Sequence, residues 1–131
     1  MSARRDGLRS LKVDDICHGE CPNGASLICL VTAVTDRLIQ TRTVTSQYEF
    51  DFNRDTGVAE VSDEKTPCVI NSIAPLPADT HQIMLGLDRK FRVVIDWEKP
   101  NDWEKVKLTK DEIRGLIFVA KFYAENQLSL E

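Results

Sequence analysis

Apolar residues recur along this chain in two periods. In the first half they alternate with polar residues or run together in short stretches, the habit of strands; in the second they recur every three to four residues, the habit of helices. The run SLICLVTAV (26–34) is rich in β-branched residues. Leu27, Cys29, Val31 and Ala33 fall on one face and Ile28, Leu30 and Val34 on the other. Apolar character on both faces predicts a strand covered on both sides. After a polar turn at 35–37, residues 38–45 read as the return strand. The stretch YEFDF (48–52) alternates, which predicts Tyr48, Phe50 and Phe52 inward and Glu49 and Asp51 outward. Residues 53–57 supply a turn in which Gly57 takes a left-handed conformation, and 58–61 pair back. Residues 11–17 read as a first strand and 67–77 as a last one. Four or five short strands paired in sequence make a small antiparallel barrel or bent sheet, SH3-like in size.

Residues 79–91 fit a helix better than a hairpin. The helix puts Met84, Leu87, Phe91, Val94 and Ile95 on one stripe. A second helix begins at Thr109, with Glu112 three residues on to complete a capping box. Its expected buried stripe is Ile113, Leu116, Ile117, Ala120, Ala124 and Leu128, widened by Phe118, Val119 and Phe122. Between the helices, 97–105 form a polar loop carrying Trp97 and Trp103. The expected fold class is therefore α+β: a β-rich part over 11–75 and a mainly helical part over 78–128 packed on it. Together they make one domain, 11–131, behind a flexible basic arm at 1–10.

Charge narrows the function classes. The net charge is −4; residues 1–60 hold 7 basic and 9 acidic side chains and 61–131 hold 10 and 12, so each half carries −2. That symmetry argues against a basic nucleic-acid-binding half. The local exception is Arg4, Arg5 and Arg9 in the arm, which reads first as a solvated terminus and otherwise as a weak phosphate contact. No apolar run reaches the ~20 residues of a membrane helix, and charges interrupt the start where a signal peptide would need an apolar core. The expectation is a soluble cytoplasmic protein whose four cysteines are thiols.

The octapeptide CHGECPNG (17–24) concentrates the candidate chemistry. Cys17, His18 and Cys21 could contribute to a metal site, but zinc sites usually draw on two close pairs of ligands and here only one pair is close. Cys68 and His81 would have to arrive from elsewhere, and Cys29 sits mid-strand as a small hydrophobe. Thioredoxin-like chemistry needs C-x-x-C at a helix start, and the spacing here is C-x3-C in an acidic loop. The six glycines are scattered and form no phosphate-binding loop. No nucleophile–base pair can be placed from sequence. No cofactor is implied, and no catalytic residue is named.

The leading expectation is a non-enzymatic interaction or adaptor domain with a protein partner. A Cys/His metal-supported domain and a weak nucleic-acid-binding barrel are the alternatives. Trp103, flanked by Asp102, Glu104 and Lys105, is the expected partner contact.

Overall fold

The computed structural model describes residues 3–22, 24–60, 68–97 and 107–127. A short helix α1 (Ala3–Arg9) leads into β1 (Ile16–Glu20), β2 (Ser26–Val34), β3 (Leu38–Thr43), β4 (Glu49–Asn53) and β5 (Val69–Ser72). Helices α2 (Ala78–Trp97) and α3 (Lys110–Glu125) follow. The five strands form one antiparallel sheet in the order β4-β3-β2-β1-β5. The sheet curls as a half-barrel, and the helices pack on it: an α+β fold, as the two periodicities predict.

Residues 57–60 tie the two edge strands together. Asn53 N donates to Val58 O and Glu60 N to Asp51 O on the β4 side; Ile70 N donates to Gly57 O and Ala59 N to Cys68 O on the β5 side, all at 2.8 Å. Gly57 makes the turn possible with φ 74°, a left-handed conformation that only glycine adopts without strain.

Strand alternation sends side chains to two separate cores. Cys17, Cys29, Val31, Ile39, Phe52 and Ile70 fill the concave interior. Ile16 and Leu30 face the other way, onto Met84, Leu87 and Phe91 of α2 and Val119 and Tyr123 of α3. This double burial explains why 26–34 is apolar on both faces. At roughly 1.5–3 kcal/mol for each large apolar side chain taken out of water, the two clusters supply the main drive to fold.

Four expectations are corrected. The arm is not a frayed terminus: it forms α1, and Leu8 is fully buried in the interior core beside Leu11. Arg5 Nε and Arg9 Nε both reach Asp55 Oδ1, at 3.0 and 2.8 Å. The first strand starts at Ile16 rather than residue 11, because Asp14 turns the chain with φ 75°. Tyr48 is not core: the strand begins one residue later and leaves its ring 68% exposed, while Phe52 is sealed. Tyr48→Ala should therefore change the unfolding free energy by under ~0.5 kcal/mol in a urea titration, as surface changes do.

The fourth correction concerns α3. Its capping box is present, with Glu112 N donating to Thr109 Oγ1 and Thr109 N to Glu112 Oε1. Its buried line, however, is Gly115, Val119 and Tyr123. A Cβ on Gly115 would lie 3.1 Å from Ile83 Cγ2, so α2 and α3 make their close approach there. Tyr123 donates its hydroxyl to Ile16 O on β1. These two contacts set the rotation of α3 and turn Ile113 and Ile117 outward, 45% and 65% exposed. Trp103, Leu128 and the side chains of Val94, Ile95 and Trp97 lie outside the described residues.

Candidate functional site

The structure separates the residues that a metal reading would bring together. Cys17 and His18 are neighbours on β1 and so project from opposite faces. Cys17 faces its cross-strand partner Cys29 inside the half-barrel, and both are free, buried thiols. The hydrogen bond between these two thiols, together with burial, holds the Cys17 thiol well above its ordinary pKa, so it is unreactive.

Cys21 is oxidised. It forms a disulfide with Cys68, 47 residues away, which corrects the expectation of four thiols. The reason is topological: Glu20 pairs with Val69 across β1 and β5, so the next residue outward on each strand is a cysteine. Among the described residues no group of three or more His, Cys, Asp or Glu is arranged to hold a metal.

The arginines of the arm are likewise committed. Hydrogen bonds from Arg9 and Arg5 keep the Asp55 carboxyl below the usual range, and Arg9 Nη2 also donates to Asp36 O. The side chain of Arg4 lies outside the described residues. The basic patch that a phosphate contact requires is thus partly neutralised within the fold.

His18 has a different environment from its cysteine neighbours. It projects toward α3, only 9% exposed, with its ring 5.3 Å from that of Tyr123. The β1–β5 register shifts between His18 and Gly19, a bulge of the kind that re-aims a side chain. Asn71 on β5 meets it, with Asn71 Oδ1 2.5 Å from His18 Nδ1, and Asn71 Nδ2 donates to Glu20 Oε2 at 3.2 Å. Beside this chain lies a cleft of about 160 Å³ that also admits Ser26, Tyr123 and Gln127. Sequence reasoning placed His18 in a metal group and missed Asn71 altogether, because only the β1–β5 pairing makes them neighbours.

Other surfaces offer less. His81, the distant ligand a metal reading would need, is half-buried in α2 and its Nε2 contacts Asp14 O at 2.9 Å. It borders a groove of about 480 Å³ with Lys12 and Asp15, which form an ion pair with each other at 3.2 Å. No helix of the described residues is long and apolar enough to cross a membrane.

No family model, curated protein or solved structure matches this chain. The reading of its function therefore rests on its own surfaces.

Proposed function

We propose that this protein is a non-enzymatic interaction domain that binds through the outer face of α3, and that the partner on that face is a second copy of the chain. One observation carries the reading. Ile113, Ile117, Ala120 and Ala124 all face solvent, at intervals of four, three and four residues. That spacing is the seam of a helix that packs against another helix. A stripe intended for water has no reason to keep it.

The order of sizes along the seam favours an antiparallel pair. In that arrangement Ile113 meets Ala124 of the other copy and Ile117 meets Ala120, so each layer holds one large and one small residue. Such pairing fills layers evenly. A parallel pair would stack isoleucine on isoleucine at one end and alanine on alanine at the other. The flank toward α2 carries Asp111, Arg114, Lys121 and Glu125, two charges of each sign, and so sets no net repulsion.

Four layers on one helix fall short of the ~1,200 Å² typical of stable interfaces, so a Kd on the order of 10–100 μM is expected. Sedimentation should show the average mass rising from monomer toward dimer across that range. Ile117→Glu should hold it at the monomer without lowering the melting temperature, because residue 117 is exposed in the single chain. A mass that stays monomeric to about 1 mM, far beyond the expected Kd, would overturn the reading.

A further inference from the structure

We propose that the cleft beside His18 is a binding site for a primary ammonium group, such as the end of a lysine side chain or a small alkylamine. The cleft borders the proposed self-association seam at Ala120 and Ala124, and its chemistry comes from how His18, Asn71 and Glu20 fix one another.

Glu20 fixes the orientation of the Asn71 amide. A carboxylate can only accept, so the Asn71 atom 3.2 Å from Glu20 Oε2 is its NH2 group. That leaves the Asn71 carbonyl oxygen facing His18 Nδ1. A carbonyl oxygen also only accepts, so Nδ1 carries the proton. In the neutral ring Nε2 is then the bare nitrogen, a hydrogen-bond acceptor.

Nε2 has no hydrogen-bond partner among the described residues, although the side chain is nine-tenths buried. Nor is it sealed in: the one buried side-chain N or O atom without a partner among the described residues is Arg54 Nε. Nε2 therefore opens on the cleft that His18 lines. A buried acceptor facing a polar cleft asks for a donor.

The rest of the lining says what kind of donor. Among the described residues, Glu20 is the only acidic or basic side chain besides His18 that borders the cleft, and no lysine or arginine does. Glu20 Oε1 makes no bond in the Asn71 chain, which uses Oε2. Ser26 lies directly across the hairpin from Glu20 and adds a hydroxyl acceptor. A primary ammonium has three donors and one positive charge, matching Nε2, the Glu20 carboxylate and the Ser26 hydroxyl. Anions would meet the Glu20 charge with no counter-charge. The alanine walls at 120 and 124 suit an aliphatic stem, and about 160 Å³ holds one, being about five water volumes.

Titration of isotope-labelled protein with n-butylammonium, read at the His18 ring nitrogens and the Asn71 side-chain amide by NMR, tests the site. Shifts at both should saturate with a Kd on the order of millimolar, as suits a ligand of few heavy atoms. Glu20→Gln, at an exposed position, should weaken binding about tenfold. n-Butanol should bind more weakly still, and tetramethylammonium, which lacks N–H donors, should cause no saturable shift. Repeating the titration on Ile117→Glu keeps the result separate from dimer formation. Absence of saturation in both backgrounds overturns the proposal, as does an equal response to tetramethylammonium. Shifts caused by zinc ions and not by butylammonium would also overturn it, assigning the cleft to a metal instead.

Discussion

Asp88→Ala should lower the unfolding free energy by about 3–5 kcal/mol, the usual result of breaking a buried ion pair from one side. Asp88 sits on the sheet-facing side of α2 and is buried. Arg42 on β3 grips it with two bonds, Nε to Oδ1 at 3.0 Å and Nη2 to Oδ2 at 2.9 Å. Gln47, in the β3–β4 turn with φ 59°, adds its amide to Oδ1 at 2.9 Å. Removing the carboxylate takes this shared acceptor from a guanidinium and an amide that are both half-buried. Replacing both buried partners, as in Arg42→Met with Asp88→Leu, should cost markedly less, since the one charge left behind, on Arg92 at 3.8 Å from Asp88 Oδ2, is 42% exposed and stays hydrated. Urea titrations of the two variants make the comparison, and equal losses would show that shape rather than charge matters here.

The same carboxylate gives stability a pH dependence. Burial pushes the Asp88 pKa up, but hydrogen bonds from Arg42 and Gln47 and the Arg42 charge outweigh it, and the net shift is downward. A carboxyl whose folded pKa is depressed stabilises fully above its unfolded value of about 3.9 and loses that contribution as pH falls toward the folded one. The urea midpoint of the wild type should therefore drop below about pH 4, and Asp88→Ala should lack the part of the drop that Asp88 supplies.

Loss of the Cys21–Cys68 disulfide should be comparably costly, about 4 kcal/mol by the chain-entropy argument for a loop of this length. The bond sits where β1 and β5 meet, and β5 is only four residues long. Paired replacement by serine, or reduction, should lower the urea midpoint by similar amounts. The buried thiols Cys17 and Cys29 should stay inaccessible to alkylation in the folded, reduced protein. A loss under about 1 kcal/mol would show that strand pairing holds the junction unaided.

The sequence revealed those features that depend on neighbours along the chain. The Thr109–Glu112 box, the α2 stripe of Met84, Leu87 and Phe91, and the doubly apolar β2 are each written within a dozen residues, and all are present. The features it hid depend on strands meeting. Cys21 finds Cys68, and His18 finds Asn71, only because β5 returns beside β1. The rotation of α3 was hidden for another reason. The helix has apolar residues on more than one face, and the choice between them came from Gly115 against Ile83 and Tyr123 against Ile16. The arm misled through its charges: three arginines drew attention from Leu8, whose burial anchors α1.

The bridging segment at 57–60 has a consequence for what the protein can join. An open sheet offers each bare edge to any passing extended chain, the route to strand-swapped polymers and cross-β fibrils. Here the backbone groups at Asp51 and Asn53 on one edge, and at Cys68 and Ile70 on the other, already bond to the bridge. A β-rich body of this size would otherwise be an easy template for fibre growth. With these edge groups engaged, the sheet itself is protected against growing into a polymer.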